Sequence, residues 1–251
     1  MAPYGKLIWS DEFDYEGLPD SEKWSYDING HGWGNNELQY YTDRREENAF
    51  VKDGKLHITA IKESYKGSEY TSARLLSKGK GDWLYGRIEI NAKLPAGRGT
   101  WPAIWMLPTD CQEWPICGEI DIMEHVGYDP GIIHATIHTG KYNHTIGTDR
   151  GGDTEVKTYN SDFHIYAIEW KPYHLDFFVD DKIIFSYSYN EDNGDTGGYM
   201  AWPFDQPFHL ILNIAVGGNW GGSRGVDDDI FPQTMEVDYV RVYDLELSES
   251  L

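Results

Sequence analysis

The sequence predicts an all-β protein, a sandwich of two antiparallel sheets with little helix. Apolar residues recur with period two in many short runs, and the 27 glycines and 11 prolines are scattered between those runs as turn residues are. No stretch sustains a helical stripe for three turns. Many short strands separated by turn signals imply a sandwich or a closed barrel; the sandwich is the reading taken here. No linker, repeat or low-complexity block interrupts the 251 residues, so residues 1–251 read as one domain.

The strands follow in order. KLHITAIKE alternates Leu56, Ile58 and Ala60 against His57, Thr59 and Ile61. In GRIEINAKL, Ile88, Ile90, Ala92 and Leu94 alternate with Arg87, Glu89, Asn91 and Lys93. HIYAIEW, HLDFFVDD, KIIFSYSY, FHLILNIAV and MEVDYVRVYDL continue the pattern, and KDGKL and VDDKI read as tight reversals. GIIHATIHTG sets His134 and His138 four apart, a metal-pair spacing on a helix; the alternation of Ile133, Ala135 and Ile137 makes the segment a strand instead.

Composition narrows the function. At 40% hydrophobic and 15% aromatic residues, the chain can bury a substantial core. A net charge of -21 repels phosphate backbones and anionic lipid head groups, so nucleic acid and membrane partners are not expected and a neutral partner is. No run approaches the roughly 18 apolar residues of a membrane span. The opening MAPYGKLIWSDEF lacks the layout of a secretion signal. Cys111 and Cys117, in CQEWPIC, are either a local disulfide or two free thiols.

GEIDIMEH, residues 118–125, carries the chemistry. On a helix, Glu119, Asp121 and Glu124 would point at roughly 0°, 200° and 140° and share no face. On a strand, Glu119 and Asp121 share a face and Glu124 has the wrong parity. A β-bulge near Ile122 and Met123 restores it. Glu119 and Glu124 then stand roughly 13 Å apart along the strand. Their side chains reach toward each other, which leaves roughly 5–6 Å, the separation of a retaining glycosidase rather than an inverting one. Asp121 lies between them. Three carboxylates so close do not all stay ionised near neutral pH, which supplies one ionised nucleophile and one protonated acid. A solvated acidic face and a calcium site are the competing readings of such a strand.

The surroundings favour a sugar site. In GRGTWPAIWMLP just upstream, Trp101 and Trp105 share parity with Ala103 between them. Indole rings receive the apolar faces of sugars. Trp33 and Trp220 sit in glycine-rich loops, where aromatic side chains are better contact residues than core residues.

GEIDIMEH matches the bulged E-x-D-x-x-E signature of glycoside hydrolase family 16, and GTWPAIWMLP before it resembles the laminarinase branch, the endo-β-1,3-glucanases. The resemblance runs through WSDEFD, NNELQYYT, SARLLSKGK, GRIEINAKLP, LNIAVGGNW and MEVDYVRVY, nearly the whole chain. It implies a β-jelly-roll with a concave substrate cleft and retaining hydrolysis of β-1,3-glucans such as laminarin. It also implies Glu119 as nucleophile, Glu124 as acid/base and Asp121 as supporting acid. Trp101 and Trp105 match cleft residues on the glycone side; Asn36, Arg74, His138 and Trp220 match sugar contacts. The family needs no catalytic cofactor. It often carries a structural calcium, for which Glu12 and Gly54 (backbone oxygens) and Asp238 (side chain) match. A β-glucan polysaccharide or oligosaccharide is the expected partner, and the protein is expected to be a secreted monomer whose signal has been removed. The alternatives are a mixed-linkage glucanase or galactanase of the same family, a transglycosylase, and a glucan-binding protein without catalysis.

Overall fold

The computed structural model describes residues 5–245. In chain order its strands are β1 (Leu7–Asp11), β2 (Ser25–Tyr26), β3 (Gln39–Tyr41), β4 (Ala49–Lys52), β5 (Lys55–Tyr65) and β6 (Ser68–Ser72). Then come β7 (Arg74–Leu76), β8 (Asp82–Trp83), β9 (Gly86–Lys93), β10 (Thr100–Pro108), β11 (Glu119–Glu124) and β12 (Ile132–His138). The last six are β13 (Arg150–Glu155), β14 (His164–Lys171), β15 (His174–Val179), β16 (Lys182–Ser188), β17 (Phe208–Val216) and β18 (Gln233–Tyr243). Among the described residues, helix is confined to four 3₁₀ turns of three residues each.

These strands build two sheets. One has ten strands in the order β16-β15-β14-β9-β18-β5-β6-β3, with β1 on β18 and β4 on β5. The other has eight, β13-β12-β11-β10-β17-β7-β2, with β8 on β17. Apart from the parallel pair β3 and β6, the strand pairs are antiparallel. The architecture is the β-jelly-roll sandwich that the strand pattern and the family resemblance imply.

The predicted reversals are two-residue hairpins. Lys52 pairs with Lys55 around Asp53 and Gly54, and Val179 pairs with Lys182 around Asp180 and Asp181. Asp53 and Gly54 both have positive φ, 52° and 71°, as the favoured hairpin turn requires.

The core lies between the sheets and is drawn from one parity of each strand. Leu56, Ile58, Ala60, Ile88, Ile90 and Ala92 from the ten-stranded sheet are fully buried, and so are Ile104, Met106, Ile120, Ile137, Leu210 and Leu212 from the other. Burying each leucine, isoleucine or methionine among these is worth about 1.5–3 kcal/mol, and that packing holds the eight-stranded sheet as a rigid platform. Its other parity faces away from the core and carries the acidic strand.

Candidate active site

The register of β11 turns its acids to one face. Glu119, Asp121 and Glu124 stand opposite His138, Thr136 and His134 of β12. On the other side, Asp121 stands opposite Trp105 of β10 and Glu124 opposite Ala103. Between Asp121 and Glu124 both neighbours advance two residues while β11 advances three. This is the expected bulge, at Ile122 and Met123, and both of those side chains are fully buried in the core. Glu119 and Glu124 therefore lie four residues apart on the unbulged β12, roughly 13 Å at strand rise.

Cross-strand pairing extends this face into a grid. His134, Glu124, Ala103, Asn213 and Arg74 form one row across five strands. Thr136, Asp121, Trp105 and Ile211 form the next. Ala103 lies between Trp101 and Trp105 on β10, directly opposite Glu124.

Each glutamate is held by an indole N–H. Trp101 Nε1 donates to Glu124 Oε1 at 3.0 Å, and Trp114 Nε1 donates to Glu119 Oε2 at 2.8 Å. Burial is the main force on the pKa values. It pushes Glu124 up to about 7. Burial, with the charge of Glu124 added, pushes Glu119 up to about 8. Asp121 is raised well above the ordinary carboxylate value, by burial, by both neighbouring charges and by its hydrogen bond with Glu119. The extra rise at Glu119 vanishes once Glu124 carries a proton. Burial still raises Glu119, but three contacts oppose it: the Trp114 N–H, the Arg74 cation and the hydrogen bond from Asp121. Glu124 has only the Trp101 N–H. More contacts favour the anion at Glu119 than at Glu124, the bias that a nucleophile beside a proton donor requires.

His138 completes the cluster. Its Nε2 lies 3.4 Å from Asp121 Oδ2 and 3.8 Å from Glu119 Oε1. Burial, with the adjacent His144, pushes its pKa down to about 4, so near neutral pH it is an uncharged imidazole.

A buried acid with a raised pKa makes the fold pH-dependent. Below the ordinary value of 4.5, Glu124 is protonated in both folded and unfolded chains and costs nothing. As pH rises through 4.5 the unfolded chain releases the proton and the folded one keeps it, so stability falls until the native acid ionises near 7. Glu124→Gln removes this penalty. The variant is expected to be more stable than the parent by about 3 kcal/mol at pH 8 and by less than about 1 kcal/mol at pH 5. Thermal unfolding at the two pH values checks this, and an equal gain at both would contradict it.

The remaining expected sugar contacts surround these acids. Trp101 meets Trp220 edge-on at 5.6 Å, and His134 meets Trp220 at 5.1 Å. Asn36, exposed and at a positive φ of 56°, donates to Asn219 at 2.8 Å beside Trp220. Arg74 is sandwiched between Trp33 (4.5 Å) and Trp105 (4.7 Å) and paired with Asp27 at 2.9 Å. Trp105 Nε1 donates to Asn213 Oδ1 at 2.7 Å, and Asn213 Nδ2 donates to Tyr41 Oη at 3.0 Å. Glu119, Asp121, Glu124, Trp101, Trp105, Arg74 and His138 thus come from strands of the eight-stranded sheet, and Asn36 and Trp220 join them from loops.

Three further residues belong here that sequence reading did not single out. Asn213 fixes Trp105. Glu37 accepts from Asn35 Nδ2 at 3.1 Å and Gln39 Nε2 at 2.6 Å beside Asn36, and burial raises its pKa. Trp114 sits in CQEWPIC, where the cysteines alone drew notice. Of the two options for that segment the structure has the disulfide, Cys111 to Cys117, with Cα atoms 5.4 Å apart.

Glu12, Gly54 and Asp238 lie elsewhere, at the ten-stranded sheet: Glu12 directly follows β1, Gly54 is in the β4–β5 turn and Asp238 is in β18. β18 pairs with β5 as far as Val237 opposite Leu56, and with β1 from Val240 opposite Asp11. Asp238 falls at this handover, bulged out of the pairing with β9. Asp238 Oδ2 accepts from Asn91 Nδ2 at 3.0 Å. The Glu12 carboxylate is engaged by Arg241 at 3.0 and 2.7 Å, which leaves its backbone oxygen as the donor it offers. One carboxylate and two backbone carbonyls are an all-oxygen set, which suits a hard cation with water completing the shell.

Known proteins resemble this chain along most of its length. The family model for glycosyl hydrolases family 16 matches residues 35–241. A β-glucanase from Rhodothermus marinus is 59% identical over 247 residues, covering 96% of this chain and 86% of that protein. The X-ray structure of the laminarinase from Rhodothermus marinus superposes with a TM-score of 0.94 at 57% identity, covering 98% of this chain and 99% of that one. A non-specific endo-β-1,3(4)-glucanase from the same family, co-crystallised with 1,3-β-D-cellotriosyl-glucose, superposes with a TM-score of 0.91 at 46% identity, covering 97% and 96%.

Proposed function

Because this chain belongs to glycosyl hydrolase family 16, we propose that Glu119 and Glu124 carry out a retaining double displacement on its glucan substrate. The protein is an endo-β-1,3-glucanase of the laminarinase type. The observation that carries the assignment of roles is the bulged strand, which presents both glutamates on one face with an indole N–H on each.

In the first step a Glu119 oxygen bonds to the anomeric carbon as the glycosidic C–O bond breaks, and Glu124 gives its proton to the departing oxygen. In the second, Glu124 takes a proton from water, the water oxygen bonds to the anomeric carbon, and the bond to Glu119 breaks. Asp121 keeps its proton, donates it as a hydrogen bond to Glu119 and spares the cluster one negative charge. Trp101, Trp105 and Trp220 present ring faces to the sugars. Asn36, Arg74 and His138 supply polar contacts. A protein that only binds glucan gains nothing from burying three carboxyl groups at this cost in stability; proton transfer does gain from it.

No catalytic cofactor is required. We assign Glu12, Gly54 and Asp238 to a structural calcium, whose charge would tie β1, the β4–β5 turn and β18 together. The disulfide favours an oxidising compartment, in keeping with a secreted enzyme, and the single sandwich serves as a monomeric catalytic unit. Among the described residues no helix is long and apolar enough to cross a membrane, and the charge of -21 favours a neutral glucan over nucleic acid or an anionic lipid surface.

Laminarin digestion followed by proton NMR tests the reading. The first reducing ends to appear are expected to be β-anomers, converting to the mixture only by mutarotation. Initial release of α-anomers would overturn retention. Digestion of laminarin beside mixed-linkage glucan and agarose is expected to release laminari-oligosaccharides and to leave agarose intact.

A further inference from the structure

We propose that Trp114 is a positioning residue for Glu119, and that the Cys111–Cys117 disulfide serves to keep its indole N–H on the Glu119 carboxylate. The proposal rests on Glu119 being the nucleophile, as assigned above.

Trp114 has an unusual setting for so large an apolar side chain. It is 36% exposed, comes from no strand, and lies in the connection between β10 and β11. Little core packing holds it. What it touches is the site: Glu119 Oε2 at 2.8 Å through Nε1, His138 at 6.0 Å and His144 at 5.3 Å between ring centroids. A glutamate side chain has three rotatable bonds, so a nucleophile on one needs its carboxylate fixed from more than one side. Asp121 and His138 approach Glu119 from the strand face. Trp114 is the donor that comes from the rim.

The connection is built to hold that donor still. The disulfide ties its first half to Cys117, two residues before Glu119. Within the loop, Cys117 N donates to Glu113 O at 3.0 Å and Gly118 N donates to Pro115 O at 3.1 Å. From outside, Gln206 Nε2 donates to Cys117 O at 3.0 Å. Gly118 closes the segment at a φ of +94°, where a Cβ would meet Pro203 at 2.7 Å. The chain is thus anchored on both sides of Trp114, and opening the disulfide releases one anchor without touching the sheet.

A hydrogen bond to a carboxylate stabilises its ionised form, so losing the N–H raises the Glu119 pKa. Trp114→Phe keeps the ring and removes the donor. On laminarin, kcat is expected to fall roughly 10- to 100-fold, the effect of one charge-assisted hydrogen bond, with KM changed less than about twofold. The acidic limb of kcat/KM should move to higher pH. Cys111→Ser/Cys117→Ser, or reduction of the parent, should lower kcat in the same direction. It should cost little more when Trp114→Phe is already present, because both changes remove one contact. Unchanged kcat and pH profile in Trp114→Phe, or full additivity of the two changes, would overturn the proposal. A second readout does not depend on turnover: the carbon-13 carboxyl titration of Glu119 is expected to shift upward in Trp114→Phe. If laminarin is not cleaved but this shift appears, the enzyme assignment fails and the positioning role stands; if laminarin is cleaved and the shift is absent, the reverse holds.

Discussion

Glu119→Ala is expected to lower kcat on laminarin by about 10⁴-fold or more, over about 5 kcal/mol of transition-state stabilisation, while the fold survives. The side chain sits on the outer face of a sheet whose core side is packed by Ile120, Ile122 and Met123, all fully buried. Truncating it removes a buried acid and leaves that packing alone. Rescue tells a nucleophile from a merely important residue. Azide enters the space vacated on the α side of the sugar and, with an activated aryl β-glucoside substrate, should give an α-glycosyl azide. A variant with near-parental activity, or a β-azide product, would remove Glu119 from the assigned role.

Glu124→Ala should produce a different pattern. On laminarin, whose leaving group needs a proton, the loss is about 10²- to 10⁴-fold. With a dinitrophenyl laminaribioside the leaving group needs none, so formation of the glycosyl-enzyme should stay within about tenfold of the parent and the second step should become limiting. Azide then attacks the covalent intermediate from the β side and gives a β-glycosyl azide. The alkaline limb of the activity profile should also disappear, since the group whose pKa is raised to about 7 is gone. Equal loss on both substrates would show that Glu124 does not act as the proton donor.

Much of this was legible in the sequence because strand parity is simple arithmetic. Alternation placed Leu56, Ile58 and Ala60 inside, and the mismatch between Asp121 and Glu124 required a bulge. Local spacing also put Trp101, Trp105, His134 and His138 on strands with defined faces. What stayed hidden depends on distant segments. Alternation marks GRIEINAKL as a strand with one wet side, yet Arg87 and Glu89 are 2% and 6% exposed. Glu169 of β14 and the Phe178 ring of β15 cover the Arg87 side chain. FHLILNIAV likewise reads as half-buried, but all nine residues of β17 are buried, and on its outer face Asn213 is bonded by both Trp105 and Tyr41. The Trp33–Arg74–Trp105 stack brings three separate stretches together. The reach of Trp114 to Glu119 depends on how an irregular connection folds back, which no periodicity encodes.

The bulge also bears on how such a gene can change length. Inserting or deleting one residue inside a strand normally swaps its two faces and ruins the core. In β11 the extra residue is already out of register with both neighbours. Loss of a single codon there returns the strand to an ordinary ladder in which the two glutamates still stand opposite His138 and His134. The distance between the reactive groups is kept by the flanking strands rather than by the strand that bears them, so Ile122 or Met123 can be lost in frame with both acids still on one face, whereas a single deletion within an unbulged strand swaps its faces.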